Sequence, residues 1–334
     1  MAGSAGAGRH LMLAVAVGLL VVGGWGFWEE LRAAASGLKS FRWALLAPIL
    51  ALSALNYLLR ALRWEYYLRL LGVRLPAASS ISIFLASLLF CITPGRLGEV
   101  CKSYFVTKAD PRVAVARTVP VVLAERLQDL LATAILASAG LAAFSWGWQV
   151  VAATLGLVAG LLVLVGSRRL AQAAIARLGR VPSLSRTVPH LLTLYEGSYT
   201  LLRPGPVGLA AVLSLPAWFT ECLGCYLVLQ GLGQEVPLLA ATFAYTVATL
   251  VGALSMLPGG LGATEGTLAV MLTGLGTPTP TALAATFLIR ACTLWFAVAV
   301  GGVVLVARNR ELCGGQRLAE VMEEAKRVQG QVSP

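Results

Sequence analysis

The pentapeptide PGRLG at residues 94–98 returns 164 positions later as PGGLG at residues 258–262, and this pair of breaks decides the fold. Each pentapeptide interrupts an apolar stretch, because proline and glycine end regular helix where they occur together. The same offset of 164 places Arg126 on Arg290, and each is an isolated arginine within an apolar run. Upstream of the pentapeptides the matching positions lie 161 residues apart. The sequence therefore predicts that the chain contains two copies of one unit.

The composition around these breaks is that of a membrane protein. Hydrophobic residues make up 58% of the 334 positions and charged residues 12%, whereas soluble domains have roughly 45–50% and about 25%. Such an apolar excess excludes most soluble enzymes, secreted disulfide scaffolds and disordered chains. The net charge of +11 is explained by basic cytoplasmic loops, so we expect no nucleic-acid partner.

The apolar runs predict an all-α polytopic membrane protein with about six full spans and two re-entrant helical hairpins whose tips are the PGxLG pentapeptides. A full span needs about 20 residues, and the runs at 79–93 and 267–275 are too short to cross alone. Non-helical backbone at membrane depth is tolerated where protein or water satisfies it. The predicted full spans are residues 11–27, 43–59, 121–144, 150–165, 207–229 and 281–306.

The basic residues orient these elements. Of the 26 Lys and Arg, 21 fall on one side, at Arg9, in residues 60–78, 94–117 and 166–206, and in the tail from residue 308. Three fall on the other side. The positive-inside rule then places both termini in the cytoplasm. We predict that the chain lies in the cytoplasmic (inner) membrane of a bacterium or archaeon. The first hairpin enters from the cytoplasm and the second from outside, so the repeats have inverted topology.

The predicted organisation is one transmembrane domain over residues 1–309. Repeat A covers about 43–145 and repeat B about 207–309. Residues 310–334 form a cytoplasmic tail whose apolar side chains recur at helical spacing, which predicts an amphipathic surface helix.

Ionisable residues within the apolar runs mark the predicted site. Each costs at least about 2.5–3.5 kcal/mol at the bilayer centre, so such residues should face an interior cavity and pair with one another. One interpretation is purely structural, in which Glu99 with Arg126 and Glu265 with Arg290 only neutralise buried charge. The other is functional, because arginine grips phosphate through two parallel hydrogen bonds.

The pentapeptides add backbone donors to that site, because a helix N-terminus presents free N–H groups to an anion. Helices are expected to begin near the last glycine of each pentapeptide. The predicted substrate-binding and translocation residues are Arg126, Arg290, Glu99, Glu265, Arg96, Gly95, Gly98, Gly259, Gly262, Glu125, Asp129 and Glu221.

Cysteine and histidine indicate no metal chemistry. Cys222 and Cys225 form a CxxC pair, but no second pair and no nearby histidine accompanies it. We interpret them as small residues that let membrane helices approach closely. We predict no metal, no cofactor and no catalytic residue.

The motifs resemble those of the lysylphosphatidylglycerol synthase transmembrane-region family, also called flippase-like domain proteins. The resemblance rests on PGRLGE at 94–99, ERLQDL at 125–130, and PGGLG at 258–262 followed by Glu265, and it covers roughly residues 11–308. It implies movement of lipid between leaflets. Bifunctional members carry a further soluble aminoacyltransferase domain, and the tail here is too short for one, so we expect no lipid aminoacylation.

The leading hypothesis is a lipid flippase or translocase, not an enzyme, whose partner is a membrane lipid with a phosphate-containing, anionic or zwitterionic headgroup. Three alternatives stay open. An integral-membrane lipid-pyrophosphate phosphatase would need a placed nucleophile and base, and Leu97 and Gly98 stand where such enzymes carry Ser-Arg. A small-anion exporter and a non-transporting membrane partner of an envelope enzyme are the others. The lipid, the direction, the energy source and a homodimeric state are left open.

Overall fold

The computed structural model describes residues 38–93, 99–140, 148–169, 177 and 188–313. Within these ranges every regular element is helical and no strand is present. The predicted span at 11–27, the first pentapeptide at 94–98 and the tail beyond residue 313 lie outside the described residues.

The first half of the described chain contains four helices. A 3-10 turn at Trp43–Leu45 leads into the first helix, and the second helix continues as a 3-10 segment at Leu88–Ile92. The helices are α1 at Leu46–Leu70, α2 at Ala77–Ser87, α3 at Cys101–Ala109 and α4 at Val115–Gly140.

Between the halves, the described residues contain the two longer helices α5 at Trp148–Gly166 and α6 at Val188–Leu201. The second half of the described chain begins at Pro204. It comprises α7 at Pro204–Gly231, α8 at Leu238–Leu254, a 3-10 turn at Pro258–Gly260, α9 at Ala263–Gly274, α10 at Thr279–Arg290, a π-helical turn at Ala291–Trp295, α11 at Phe296–Ala307 and α12 at Asn309–Cys313.

Helix boundaries follow the two sequence offsets. Helix α2 begins at Ala77 and α8 at Leu238, which are 161 positions apart. Helix α4 begins at Val115 and α10 at Thr279, which are 164 positions apart. Proline at the start of α7 and within the first turn of α10 fits these starts, because the first helical N–H groups need no partner inside the helix.

Helices α1 and α7 cross at equivalent positions of the two halves. The Asn56 Nδ2 donates a buried hydrogen bond of 2.6 Å to the Ala217 carbonyl oxygen, and these residues are 161 positions apart. The other contacts are reciprocal, since α2 packs on α11 and α8 packs on α4. Both contacts are close at a glycine: a Cβ at Gly301 would overlap the Leu89 backbone nitrogen, and one at Gly140 would lie 2.5 Å from the Phe243 Cβ.

Three helical segments among the described residues are long and apolar enough to cross a membrane: Trp43–Leu70 with 28 residues, Pro204–Gly231 with 28 and Thr279–Ala307 with 29. Helix α9 has 12 residues, about 18 Å at 1.5 Å per residue, which is shorter than the roughly 30 Å hydrocarbon core.

Three segments that were predicted as basic loops contain helix: 60–78, 94–117 and 166–206. The span predicted at 43–59 is too short, because α1 continues to Leu70, so Arg60 and Arg63 are helical and buried. They can remain in the apolar interior because a carboxylate on α4 balances them. The segment 166–206 contains the helix Val188–Leu201. Lys102 is also buried, so three of the 21 basic residues are not loop charges, and the orientation of the termini stays a prediction.

Candidate functional site

Asp129 on α4 is shared by three arginines. Its Oδ1 lies 2.8 Å from the Arg63 Nη2, and its Oδ2 lies 2.9 Å from the Arg126 Nη2 and 3.4 Å from the Arg60 Nη2. The Trp218 Nε1 on α7 donates a further hydrogen bond of 3.1 Å to Oδ1. One buried carboxylate therefore joins α1, α4 and α7.

Lys102 on α3 forms a second centre of charge. It is 1% exposed, and its Nζ lies 2.9 Å from the Glu125 Oε2 and 3.7 Å from the Glu99 Oε2. The ammonium also sits 5.2 Å from the ring centre of Trp64 and 4.8 Å from that of Phe84. Both rings are within the roughly 6 Å over which an aromatic face attracts a cation.

Glu99 connects the two centres. Its Oε2 lies 3.1 Å from the Arg126 Nη2 as well as 3.7 Å from the Lys102 Nζ. The result is one continuous network, here named the charge cluster. Its members are Arg60, Arg63, Glu99, Lys102, Glu125, Arg126 and Asp129. All are buried except Arg126, whose side chain is 22% exposed.

Helical spacing brings these side chains together. Arg60, Arg63 and Tyr67 repeat at three and four positions along α1, so they share the face that packs on α4 and α7. Glu125 and Asp129 are four positions apart on α4 and likewise share a face. Helix phase, rather than nearness along the chain, builds the charge cluster.

Several buried polar atoms around the charge cluster have no hydrogen-bond partner among the described residues. The donors include the Nε of Arg60, Arg63 and Arg126, and the acceptors include the Glu125 Oε1. A buried polar atom without a partner costs about 1–3 kcal/mol. Such a concentration of them indicates a place where water or the polar atoms of a ligand are accommodated.

In the second half, Arg290 is hydrogen-bonded to the turn formed by the second pentapeptide. The Arg290 Nη2 donates 2.7 Å to the Gly259 carbonyl oxygen, and its Nε pairs with the Glu265 Oε1. The Glu265 Oε2 in turn accepts the Gly262 backbone N–H at 2.7 Å, at the start of α9. Gly259 and Gly262 have φ of +59° and +82°, a region that glycine enters without steric cost.

The second pentapeptide lies beside the approach to the first. The turn Pro258–Gly260 contacts the 3-10 segment Leu88–Ile92, and a Cβ at Gly259 would lie 3.5 Å from the Ile92 Cα. Residue 92 is two positions before the first pentapeptide. Gly95, Arg96 and Gly98 themselves lie outside the described residues, so their predicted part in the site stays a prediction.

Glu221 on α7 lies between the halves. It is 6% exposed, and its Oε2 accepts a hydrogen bond of 3.1 Å from the Tyr245 hydroxyl on α8. It also interacts electrostatically with Arg60. In the part of the chain that the structure describes, no three His, Cys, Asp or Glu side chains are grouped as metal ligands would be.

The sequence patterns did not predict that Arg60, Arg63 and Lys102 belong to this network. These residues follow the ends of apolar runs and were therefore predicted to lie in cytoplasmic loops. The signal that could have found the two arginines is their spacing with Trp64 and Tyr67, which places all four residues on one face of a continuing helix. No comparable signal marks Lys102.

Comparison with known proteins identifies a family of membrane proteins. The family described as "Lysylphosphatidylglycerol synthase TM region" matches residues 11–301. A UPF0104 membrane protein of Pyrococcus horikoshii is 23% identical over 333 residues, covering 91% of this chain and 98% of that protein. A UPF0104 membrane protein of Methanothermobacter thermautotrophicus is 35% identical over 97 residues, 29% of each chain. No solved structure matches the chain.

Proposed function

The chain belongs to the lysylphosphatidylglycerol synthase transmembrane-region family of membrane proteins, and from that premise we propose that it moves a phosphate-containing lipid between the leaflets of its membrane. The headgroup, anionic or zwitterionic, passes through the polar interior while the chains stay in lipid. The protein acts as a flippase or translocase and leaves the lipid chemically unchanged.

Arg126 is the observation that carries this proposal. It is the partly exposed member of an otherwise buried charge cluster, with 22% of its side chain accessible. One of its nitrogens, Nη2, holds both Glu99 and Asp129, while its Nε has no hydrogen-bond partner among the described residues. A guanidinium has five N–H donors in a planar fork that matches a phosphate. Arg126 can therefore accept a headgroup by turning its fork away from the two carboxylates.

The packing of the halves supports alternating access. The short α3 and α9, of nine and 12 residues, follow the two pentapeptides and fit re-entrant hairpins that do not cross the bilayer. The crossing of α1 and α7 at equivalent positions and the reciprocal packing of α2 on α11 and α8 on α4 fit an inverted repeat. Transporters of this kind place their substrate near the bilayer midplane, at the interface of the repeats.

The carboxylates of the charge cluster favour binding over catalysis. A general base must reach the proton that it removes, whereas Asp129 and Glu125 are each held by a buried cation within 2.9 Å. We therefore assign these carboxylates to positioning the arginines and the lysine, and we propose no catalytic residue.

Reconstitution in liposomes tests this function. The probe is phosphatidylglycerol with a fluorescent acyl chain, and a membrane-impermeant quencher reports how fast lipid leaves the inner leaflet. We expect lipid to leave the inner leaflet clearly faster in liposomes that contain the wild-type chain than in protein-free liposomes. The matched pair of variants is Arg126→Ala, expected to slow movement, and Arg112→Ala, an exposed arginine, expected to leave it unchanged.

Three results would contradict the assignment. Lipid movement no faster than in protein-free liposomes would remove the flippase function. Release of phosphate from a polyprenyl pyrophosphate, abolished by Arg126→Ala, would assign the chain to the phosphatases. Efflux of entrapped inorganic phosphate without lipid movement would make it a small-anion exporter.

A further inference from the structure

We propose that the protein carries a second, peripheral site for anionic phospholipid, in which Arg168 and Arg203 bind the lipid phosphate and Tyr199 positions their two guanidinium groups. These three residues are here named the arginine clamp. They lie at the ends of α5, α6 and α7. The inference goes beyond the proposed function, because this site holds a lipid in its leaflet and does not transport it.

One tyrosine ring brings the two arginines together. The guanidinium carbon of Arg168 lies 4.6 Å from the ring centre of Tyr199, and that of Arg203 lies 4.8 Å from the same centre. Both distances are within the roughly 6 Å over which an aromatic face attracts a cation. Both arginines are exposed, so their N–H groups are free to turn toward one phosphate.

Packing at the ends of three helices places the arginine clamp. The Tyr195 hydroxyl donates a hydrogen bond of 3.1 Å to the Val165 carbonyl oxygen, which joins α6 to the last turn of α5. Tyr195 and Tyr199 are four positions apart on one face of α6, and their ring centres are 6.0 Å apart. Arg168 follows the end of α5, and Arg203 directly precedes the first residue of α7. The tertiary contacts of α6 therefore bring the two basic helix ends to one tyrosine.

The arginine clamp lies at the depth of lipid headgroups. Helix α5 has 19 residues and no charged side chain, so it is about 28 Å long, close to the roughly 30 Å of the hydrocarbon core. Helix α7 is long and apolar enough to cross a membrane. Tyrosines are enriched where such helices leave the hydrocarbon. The guanidinium groups just beyond these helix ends are therefore level with lipid phosphates.

The charge around the arginine clamp is strongly positive. The segment 166–206 contains six arginines and one acidic residue, Glu196. The Glu196 Oε2 lies 3.4 Å from the Arg168 Nη2, and the two side chains are 55% and 52% exposed. An ion pair this exposed contributes little, because water screens it. Two neighbouring guanidinium groups repel each other, and an anion between them removes that repulsion.

A phospholipid fits this surface better than a free anion does. Arginine binds phosphate through two parallel hydrogen bonds, and basic side chains at a membrane surface attract anionic lipid. Apolar side chains lie on the membrane side of the clamp, since Val163 of α5 is 64% exposed and Leu209 of α7 is 51% exposed. These side chains can contact acyl chains, which inorganic phosphate does not have.

Native mass spectrometry of the purified full-length chain in detergent measures this binding. Phosphatidylglycerol and phosphatidylcholine are added in equal amounts, and the bound lipids are counted as their concentration is raised. The wild type and Arg126→Ala are compared, so that the transport site and the arginine clamp are counted separately. We expect both proteins to retain phosphatidylglycerol in preference to phosphatidylcholine.

Removing the two charges should weaken this binding. The double variant Arg168→Gln with Arg203→Gln is expected to bind phosphatidylglycerol at the clamp about 10- to 30-fold more weakly. The matched control is Arg112→Gln, which removes a charge from another exposed arginine and should leave the affinity unchanged.

Two single variants test the geometry in opposite directions. Glu196→Gln removes the acidic neighbour of Arg168, so the affinity for phosphatidylglycerol should rise about two- to fivefold. Tyr199→Leu keeps every charge and removes the ring that positions both arginines, so the affinity should fall about two- to fivefold. Glu196→Gln changes one exposed side chain, and it decides the question if the double variant does not fold.

The outcomes separate this site from the transport site. Equal retention of the two lipids by the wild type and by Arg126→Ala would overturn the clamp. Binding that Arg126→Ala abolishes and the double variant leaves unchanged would assign all of it to the transport site, which overturns this inference and leaves the proposed function standing. Displacement of the lipid by an equal concentration of inorganic phosphate would overturn the assignment to a lipid. Failure of the flipping assay would not affect this binding.

Discussion

The two halves of the molecule share a motif but use its arginine differently. Arg126 reaches two carboxylates through one nitrogen, keeps 22% of its side chain exposed, and has buried arginines behind it. Arg290, at the equivalent position, is 11% exposed and closes the turn through Glu265 and the Gly259 carbonyl. Two similar sequence segments thus contain one candidate binding arginine and one arginine that stabilises a turn.

The two halves also differ in the helix that follows each arginine. Helix α4 continues without interruption past Arg126, whereas a π-helical turn at Ala291–Trp295 follows Arg290. Within that turn the Thr293 carbonyl oxygen accepts a hydrogen bond of 3.0 Å from the Tyr57 hydroxyl of α1. Turns of this kind are frequent at functional sites, and this one links the second half to the helix that carries the arginines of the first.

Loss of Asp129 should have the largest effect on stability. Asp129→Ala removes the carboxylate that joins three arginines, and breaking a buried ion pair costs about 3–5 kcal/mol. The equivalent test in the second half is Glu265→Ala, which should cost about 0.5–2 kcal/mol as for a lost helix cap, because that side chain is 29% exposed. Unfolding by SDS in mixed micelles measures both. Equal losses would contradict the unequal roles of the two clusters.

Disturbing the close contact between α2 and α11 should have the next largest effect on stability. Gly301→Ala places a Cβ against the Leu89 backbone nitrogen, where no side chain can move aside, so we expect about 1–3 kcal/mol of destabilisation. The neighbouring Gly302 is the matched control, since a Cβ there would have its nearest atom, a Leu89 side-chain carbon, at 3.9 Å. A thermal melt in detergent that shows no difference between the two variants would argue against this packing.

The contact between Tyr57 and the π-helical turn should give the smallest effect. Tyr57→Phe deletes one hydrogen bond to the Thr293 carbonyl oxygen, which is worth about 0.5–1.5 kcal/mol. The measurement is the same thermal melt, with Tyr66→Phe on the same helix as the comparison. A loss well above this range would mean that the hydroxyl holds the π-helical turn in place.

The sequence predicts the all-helical membrane architecture because its two strongest signals, apolar run length and the recurring PGxLG breaks, depend on local chemistry. The pairing of Glu99 with Arg126 and of Glu265 with Arg290 could also be predicted, because an ionisable group in an apolar run needs a partner.

The membership of the charge cluster could not be predicted in the same way. Arg60 and Arg63 look like loop charges when hydropathy alone is read, and only the packing of α1 on α4 shows that Asp129 balances them. Lys102 is buried because its ammonium lies between two aromatic rings and two carboxylates, which come from three other parts of the chain. These are tertiary contacts, and no local pattern encodes them.

The central claim is that Arg126 of the first half receives the lipid phosphate, and side-by-side flipping rates test it most directly. Arg126→Ala and Arg126→Lys are reconstituted at equal protein density with Arg290→Ala. Loss of a charged hydrogen bond of about 1.5–3 kcal/mol predicts a flipping rate about 10- to 100-fold lower for Arg126→Ala, with the protein still folded. Arg126→Lys should restore part of the rate, since lysine keeps the charge and loses the fork. Arg290→Ala should lower thermal stability as well as the flipping rate. A folded Arg126→Ala that moves lipid at the wild-type rate would contradict the account.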